Sequence, residues 1–307
     1  MAGSIVILGI FVADTSYQAV RLPAMGETLI GDGFVLGPGG KGSNQAVAAA
    51  RAGADAHLIA RVGRDAFSDM ARGIWAEAGV QPHLIYDADA ATGAAFVFVA
   101  RNSGENAIIV CPGAADNLTE ADVEAHAPLI AKAAVFATQF EAPMPAVRRG
   151  LQIARTAGVR TVLNPAPAMP LPDGLLALCD IVTPNETEAA MLTGLPVRSL
   201  PEAEVAARAL HGAGAGVVII TLGAQGVLVH DGVRMVHLPA YAAGPVVDTT
   251  GAGDAFNGGL ATALAEGAEV LEAARFGCAT AGIAVTRRGT ARAMPARSEI
   301  DAVLARD

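Results

Sequence analysis

Short apolar runs alternate with alanine-rich segments along most of the chain. Residues 5–10 form a continuous apolar run before a polar turn, which is typical of a buried strand. Residues 41–52 carry strong helix formers and end at Gly53, which predicts a helix. Further strands are predicted at residues 56–61, 134–138, 161–164, 181–183 and 217–221, with helices between them. This alternation indicates parallel βαβ units and therefore an α/β domain.

Two regions depart from the alternation. Residues 15–37 hold short apolar stretches broken by glycines and a proline, and residues 93–110 hold two β-rich runs, 94–101 and 106–110. The second region predicts a hairpin, because a polar loop containing glycine separates its two runs. Together the regions predict a small separate sheet that serves as a lid over a site, as an oligomer contact, or as both. The rest of residues 1–307 is interpreted as one domain, with two packed helices between 252 and about 285 that separate near Gly267.

Composition and charge argue against several classes of function. The net charge is −9 and no long cluster of Lys or Arg occurs, which argues against a nucleic-acid partner. The three cysteines form no CxxC pair, so neither a disulfide framework nor a zinc site is indicated. The first residues lack the basic start of a signal peptide, and no apolar run is long enough to span a membrane. These features predict a cytoplasmic enzyme.

The segment 248–259, Asp-Thr-Thr-Gly-Ala-Gly-Asp-Ala-Phe-Asn-Gly-Gly, has the strongest chemical pattern. Its small residues, Gly251, Ala252 and Gly253, let backbone N–H groups approach a ligand where a helix begins. Those N–H groups and the helix dipole favour an anion, so the turn suits a transferring phosphoryl group. Asp254 could then take the proton from an attacking hydroxyl. The local chemistry leaves open that Asp254 only caps the helix.

A second glycine-rich segment, 37–44, reads Gly-Pro-Gly-Gly-Lys-Gly-Ser-Asn. It is not a Walker A loop, because Val35 stands where the first glycine belongs and Gly42 follows Lys41. No G-x-G-x-x-G follows the first strand, which argues against a nicotinamide-dependent oxidoreductase. Gly39 and Gly40 either bring the backbone close to a polar ligand or form a plain turn.

These two motifs, in this order and at this separation, resemble the signatures of the ribokinase family of carbohydrate kinases. Three further segments resemble the family: Asn-Pro-Ala-Pro at 164–167, Thr-Pro-Asn-Glu-Thr-Glu at 183–188 and Thr-Leu-Gly-Ala-Gln-Gly at 221–226. The resemblance runs the length of the chain. It implies a three-layer α/β fold, with a central, mostly parallel sheet flanked by helices and a small β-sheet lid. It also implies ATP-dependent phosphorylation of the primary hydroxyl of a pentose, with D-ribose the expected substrate and ribose 5-phosphate the product.

Matching positions give expected roles on the sugar side. Asp254 matches the general base, and Gly251, Ala252 and Gly253 match the anion hole. The residues that match sugar contacts are Asp14, Gly39, Gly40, Lys41, Asn44, Glu141 and Asp254. A carboxylate at Asp14 can accept hydrogen bonds from two vicinal hydroxyls, although a solvated loop aspartate is the alternative. For Glu141, the alternative is an ordinary helix cap.

The resemblance also implies ATP, Mg²⁺ and K⁺. The residues that match ATP contacts are Asn185, Thr221, Gly223, Gly226, Gly253 and Cys278. Glu188 matches a carboxylate that holds Mg²⁺ through water, which suits an ion that keeps several waters. Asn185 and Glu188 have capping-box spacing, and both roles are compatible. The positions that match a monovalent cation site of mostly backbone carbonyls are Asp248, Thr250, Ala284, Arg287, Gly289 and Ala293, although Ala293 lacks the hydroxyl that the family often has there.

One departure concerns the substrate. Val12 stands two residues before Asp14, where the family usually has an asparagine that binds ribose hydroxyls. A buried hydroxyl without a partner costs roughly 1–3 kcal/mol, so Val12 favours 2-deoxyribose, another sugar or a nucleoside unless water or a rearranged contact rescues ribose. A non-catalytic binding protein is a further alternative, against which the intact Asp254 motif argues. The resemblance implies a homodimer through the lid strands, since an edge sheet needs covering.

Overall fold

The computed structural model describes residues 3–102 and 105–306. Within them the strands are β1 (Ile5–Leu8), β2 (Val12–Ala19), β3 (Gly33–Gly39), β4 (Ala56–Val62), β5 (Gln81–Tyr86), β6 (Thr92–Ala100), β7 (Asn106–Gly113), β8 (Val135–Gln139), β9 (Arg160–Asn164), β10 (Ile181–Val182), β11 (Val217–Thr221), β12 (Val227–His230) and β13 (Met235–Leu238). The α-helices are α1 (Lys41–Arg51), α2 (Ala66–Ala78), α3 (Glu120–Ala125), α4 (Ala127–Ile130), α5 (Met144–Thr156), α6 (Glu186–Thr193), α7 (Leu200–Gly212), α8 (Ala252–Ala265), α9 (Val270–Ala284) and α10 (Arg297–Leu304). In the described ranges, no helix is long and apolar enough to cross a membrane.

The large sheet has nine strands in the order β13-β12-β11-β10-β9-β8-β1-β4-β5. Its pairs are parallel from β11 to β5, and β12 and β13 add antiparallel strands at one edge. Along β1, Ile5 and Ile7 belong to one apolar core cluster, and Val6 and Leu8 belong to another. Because successive side chains of a strand point to opposite faces, the two clusters lie on opposite faces of the sheet. Helices therefore cover the sheet on both sides. The predicted three-layer α/β fold is confirmed.

A second sheet has four strands in the order β3-β2-β6-β7. Strands β2 and β6 pair in parallel at the centre. At the two edges, β3 pairs antiparallel with β2 and β7 pairs antiparallel with β6. The predicted small sheet is therefore present, but its first strand begins at Val12 and its second ends at Gly39. The glycine motif at 37–39 pairs with β2 across a long connection, which a local pattern does not reveal. In the predicted hairpin loop, Ser103 and Gly104 lie outside the described residues.

The predicted strands of the large sheet agree with the structure to within a few residues, and the predicted helices at 41–52 and 252–285 correspond to α1, α8 and α9. Strand β5, which contains Pro82, was not predicted from the sequence. Proline cannot donate to a ladder and is tolerated on an edge strand, which is where β5 lies. The antiparallel strands β12 and β13 were also not predicted.

Helix α1 approaches two other elements closely. A Cβ on Gly42 would come within 2.6 Å of Gly9 Cα, so α1 lies directly against the end of β1. A Cβ on Gly258 in α8 would overlap the Ala48 side chain and come within 2.8 Å of Gln45 O. These glycines therefore allow α1 to pack closely against both the end of β1 and helix α8. The meeting point lies at the carboxyl ends of β1 and β8, where the strand order reverses and α/β sheets usually bind ligands.

Candidate active site

Two adjoining cavities open at this edge of the sheet. The smaller has a volume of about 140 Å³ and is lined by Lys41, Asn164, Ala166, Thr183, Asn185, Glu188, Thr221, Thr249, Gly251, Ala252, Gly253, Asp254 and Asn257. The larger, of about 370 Å³, has a mainly apolar wall that includes Thr221, Gly223, Gly226, Tyr241, Val246, Gly253, Phe256, Cys278 and Val285. Gly253 lines both cavities, so the turn at the start of α8 divides one from the other.

Asp254 lies in the first turn of α8 and is buried, with 6% of its surface exposed. Asn44 Nδ2 donates to Asp254 Oδ2 at 3.0 Å, and Gln45 Nε2 donates to Oδ1 at 3.2 Å. Burial raises the pKa of Asp254, while Lys41 and these two amides oppose the rise. The N-cap of α8 is Gly251 and has no side-chain cap, so the alternative that Asp254 only caps the helix does not match the geometry.

The turn before Asp254 has the conformation that its glycine permits. Gly251 lies in the left-handed region, with φ of 77°. The Ala252 N–H donates to Thr249 O at 3.2 Å, and the helix begins directly afterwards. First-turn N–H groups have no partner within a helix, so those of Gly253 and Asp254 are available to an anion in the smaller cavity. A Cβ on Gly253 would meet no described atom within 4 Å.

Asp14 lies in β2, not in a loop after the first strand. Burial raises its pKa to about 6. A Cβ on Gly39 in the paired strand would overlap the Asp14 carboxylate, so a larger residue there would displace that carboxylate. Gly40 has φ of 87°, and its Cβ would come within 2.5 Å of Ile10 O. Gly39 therefore leaves room for the Asp14 carboxylate, and Gly40 lets the start of α1 approach the backbone at Ile10.

Glu141 follows β8 and accepts a hydrogen bond from the Lys41 N–H at 2.6 Å. It thus caps α1 from a distant part of the chain, whereas the alternative interpretation was an ordinary helix cap. Burial raises the pKa of Glu141 to about 7, and the charges of Asp254 and Asp14 add to the rise. Burial lowers the pKa of Lys41, but Asp254, Glu141 and Glu188 outweigh this and raise it. Three carboxylates therefore act electrostatically on one lysine, and Asp14 adds to the negative charge around Glu141.

Asn185 and Glu188 form a capping box at the start of α6. Asn185 Oδ1 accepts from the Glu188 N–H at 2.8 Å, and Glu188 Oε2 accepts from the Asn185 N–H at 2.8 Å. Both residues also line the smaller cavity, so the cap and a ligand role are geometrically compatible. Burial raises the pKa of Glu188.

Of the residues that match ATP contacts, Thr221, Gly223, Gly226 and Cys278 line the larger cavity together. Cys278 is buried, and burial raises the pKa of its thiol to about 12. A thiol with this pKa stays neutral near neutral pH, so Cys278 acts as an apolar wall residue.

The segments of the candidate cation site meet through Asp248. Its Oδ1 accepts from the Thr250 N–H and its Oδ2 from the Gly289 N–H, both at 2.9 Å. Ala284 O accepts from the Arg287 N–H at 3.0 Å, and the Arg287 side chain pairs with Glu299. Ala293 is buried in the same stretch of chain. Within residues 3–102 and 105–306, no group of three or more His, Cys, Asp or Glu side chains could hold a metal ion.

Sequence reasoning missed a buried polar network behind Asp254. Hydrogen bonds join its members one after another, in the order Gln139, Gln45, Asn164, Thr183 and Asn257. Asn164, Thr183 and Asn257 lie within the quoted motifs but had no assigned role. A polar residue at the end of a buried strand, such as Gln139 on β8, is a signal that could have found the rest. The cavity wall residue Tyr241 carried no comparable signal.

Val12, the first residue of β2, is buried, with 5% of its surface exposed. It belongs to the apolar cluster that contains Ile10 and Phe140. A Cβ on its paired residue Gly93 would come within 2.9 Å of Val12 Cγ1. Val12 therefore places a buried, closely packed apolar side chain two residues before Asp14.

Comparison with known proteins agrees with this geometry. The model of the pfkB family of carbohydrate kinases matches residues 2–297. The chain is 41% identical to a ribokinase of Haemophilus influenzae over 97% of each chain, and 33% identical to a deoxyribokinase of Salmonella typhi over 98% of each. A structure of Arabidopsis thaliana ribokinase with ribose and ATP superposes with a TM-score of 0.93 at 30% identity, over 99% of each chain. The resemblance inferred from the motifs is confirmed: the chain belongs to the pfkB family of carbohydrate kinases and is a sugar kinase that uses ATP.

Proposed function

We propose that the protein transfers the γ-phosphoryl group of ATP to the primary hydroxyl of D-ribose and releases ribose 5-phosphate. The observation that carries this proposal is the position of Asp254, which lies at the start of α8 and is held by two amides of α1. A carboxylate beside an anion-binding helix start can serve a hydroxyl and a phosphoryl group at once. The similarity to a ribokinase and to a ribokinase structure with ribose and ATP supports ribose as the substrate.

The sugar is proposed to bind where β2, α1 and the end of β8 meet. Asp14 and Glu141 would accept hydrogen bonds from hydroxyls, and Asn44 would donate or accept through its amide. The Asn44 Oδ1 atom has no hydrogen-bond partner among the described residues, so it is free to accept from a substrate hydroxyl. Gly39 and Gly40 let the backbone approach the sugar.

Asp254 is proposed to take the proton of the attacking hydroxyl. The γ-phosphate would occupy the smaller cavity, which Gly251, Ala252 and Gly253 line, and its oxygens would accept hydrogen bonds from the first N–H groups of α8. Lys41 lines the same cavity and would add a positive charge near the transferring group. These groups provide a base, an anion hole and a cation around one small volume.

The nucleoside part of ATP is proposed to occupy the larger cavity. Its size and mainly apolar wall suit a purine and ribose, with Thr221, Gly223 and Gly226 at one side and Cys278 at another. Asn185 would contact the phosphates from the capping box of α6.

Mg²⁺ is proposed to bind to the ATP phosphates, with Glu188 holding it through water. The donor set fits, because Mg²⁺ in phosphoryl-transfer sites needs only one or two carboxylates besides the phosphates. When bound, it would neutralise charge on the transferring phosphoryl group. K⁺ is proposed near Asp248, Thr250 and Gly289, which the Asp248 carboxylate holds together, and backbone carbonyls of this region would be its ligands. Ala284, Arg287 and Ala293 would contribute carbonyls only.

The Asp254→Asn variant tests the base. An amide cannot take the proton, so we expect kcat to fall by at least about a thousandfold while ATP still binds. ATP binding by calorimetry is the control for folding. Turnover at the wild-type rate with this variant would refute the assignment.

A second candidate substrate, 2-deoxyribose, is favoured by Val12. The apolar side chain near Asp14 would leave a sugar hydroxyl without a partner, and one relative of the chain is a deoxyribokinase. Measuring kcat/KM for both sugars decides between them. Introducing the family asparagine with Val12→Asn should shift the ratio toward ribose by about tenfold if Val12 faces the sugar. A clear wild-type preference for ribose would remove this candidate.

A further inference from the structure

Two buried glutamines lie behind Asp254. Gln45 on α1 and Gln139 at the end of β8 are 2% and 0% exposed. Gln139 Nε2 donates to Gln45 Oε1 at 2.6 Å. Gln45 Nε2 in turn donates to Asp254 Oδ1 at 3.2 Å and to Asn164 Oδ1 at 3.1 Å. Gln45 therefore joins the carboxylate at the start of α8 to the ends of β8 and β9.

The neighbours determine which way the Gln45 amide faces. An ionised carboxylate only accepts hydrogen bonds, so Gln45 must turn its nitrogen toward Asp254 and its oxygen toward Gln139. Gln139 must then present its nitrogen, since the reverse orientation would place two carbonyl oxygens 2.6 Å apart.

This orientation leaves the Gln139 Oε1 atom without a hydrogen-bond partner among the described residues. The oxygen lies beside Gly9 and Gly42, whose Cβ atoms would come within 2.7 Å and 2.9 Å of it. A buried unsatisfied carbonyl is unfavourable and is rare in native structures. The pair is therefore arranged for donation to Asp254, not for the best satisfaction of its own polar atoms.

The donated N–H groups act on the charge of the carboxylate. Asn44 donates to one oxygen of Asp254 and Gln45 to the other, which leaves a lone pair on each oxygen for a substrate proton. Hydrogen bonds to the ionised form oppose the effect of burial, which favours the neutral form. Among the described residues, Gln45 is not part of the wall of the smaller cavity, so its effect on a ligand there would pass through Asp254 and Asn164, the two wall residues to which it donates.

We propose that Gln45 is a positioning residue for phosphoryl transfer, whose side-chain amide keeps the Asp254 carboxylate ionised and oriented, with Gln139 fixing that amide. This inference rests on the proposed role of Asp254 as the base. Asn44 shares the contact with Asp254 but is also placed to touch the sugar, whereas Gln45 donates to Asp254 and Asn164 and has no proposed contact with the sugar.

The Gln45→Met variant tests the inference, because it keeps the length of the side chain and removes the N–H donor. We expect kcat to fall about tenfold and the acid limb of the kcat–pH profile to move up by about one pH unit, with the KM for sugar changed less than about threefold. The Gln139→Met variant should move the limb in the same direction by a smaller amount, because it leaves the Gln45 amide free to turn.

Ser43→Ala is the matched control. Ser43 is buried on the same helix, and its hydroxyl accepts a hydrogen bond from Trp75 Nε1 of α2 at 2.9 Å, whereas Gln45 donates to Asp254. Its loss should lower the melting temperature without moving the acid limb. If Asp254→Asn is inactive and the limbs of both glutamine variants coincide with that of Ser43→Ala, the inference about Gln45 is wrong. If Asp254→Asn keeps wild-type turnover, the proposed base is wrong and the inference falls with it.

Discussion

At the scale of single residues, the candidate site concentrates negative charge. Burial raises the pKa of Asp14 to about 6 and that of Glu141 to about 7, and it also raises the pKa of Asp254 and Glu188. Lys41 is the cation that interacts with three of these carboxylates. Such crowding disfavours the folded state without ligands and is typical of sites where charge serves a reaction.

Glu141→Gln should therefore stabilise the protein in alkaline solution. The folded pKa lies above the ordinary value of 4.5, so the folded state binds this proton more tightly, and stability falls as the pH rises through about 7. Gln keeps an acceptor for the Lys41 N–H and has no charge. We expect the free energy of unfolding to rise by roughly 1–3 kcal/mol near pH 8 and to change little near pH 5.

Thermal unfolding of both proteins at the two pH values measures this effect. The same variant should raise the KM for sugar, because a neutral amide is a weaker acceptor for hydroxyls. An equal change in melting temperature at both pH values would contradict the charge argument.

Gly253→Ala probes the anion hole at the scale of one methyl group. A Cβ there would meet no described atom and would face the two cavities. We expect unchanged or slightly higher stability, since alanine favours a helix by about 1 kcal/mol over glycine, but a fall in kcat/KM of at least about tenfold. Unfolding curves and steady-state kinetics separate the two effects. Wild-type kinetics would place the phosphoryl group elsewhere.

At the scale of elements, the contact between α1 and α8 assembles the site. Asn44 and Gln45 on α1 reach Asp254 on α8 only because Gly258 lets the helices approach. Helix α6 is different, since a local capping box joins the side chains of Asn185 and Glu188 at its start, in addition to the bridge between Asn185 and Thr221. A motif residue can therefore have a role in binding and a role in building the element that carries it.

Gly258→Ala should separate α1 from α8. The added methyl group would overlap the Ala48 side chain and press on the α1 backbone, which costs about 1–3 kcal/mol and loosens the amides that hold Asp254. We expect lower stability and lower kcat together. Gly73→Ala in α2 is the matched control, because a Cβ there meets no described atom within 4 Å. Equal stability of the two variants would show that the helix contact tolerates the methyl group.

At the scale of the whole molecule, the four-stranded sheet is covered incompletely. Its edge strands expose large apolar side chains, among them Phe34 and Val35 on β3 and Ile108, Ile109 and Val110 on β7. Because neighbouring residues of a strand face opposite ways, both sides of this sheet are exposed at its edges. An exposed apolar surface with open strand edges supports our proposal that two copies meet here as a homodimer.

Ile109→Glu should weaken that dimer. A charge placed on the 63% exposed Ile109 would be buried without a partner in the interface, so we expect dissociation to the monomer at micromolar concentration. Light scattering after gel filtration measures the mass. Val233→Glu, at a 92% exposed apolar position away from the small sheet, should leave the mass unchanged. A wild-type monomer, or a variant that stays dimeric, would refute the interface.

The cytoplasmic location stays a prediction.

The sequence by itself determined the elements and the family. Continuous apolar runs predicted the buried parallel strands, because a strand covered on both faces needs apolar residues throughout. The two glycine motifs predicted the family, which the comparisons confirm. Glycine turns and helix starts are local features, so their chemistry could be interpreted from neighbouring residues alone.

Only the tertiary structure decided which residues meet. The pairing of β2 with the glycine segment of β3, the cap that Glu141 forms on α1 and the buried amides behind Asp254 all join residues far apart in sequence. The pKa of each carboxyl depends on burial and on charges from other elements, which no local pattern contains. The sequence therefore predicts a base beside an anion hole, and the packing of α1 against α8 determines how that base is held and how strongly it binds its proton.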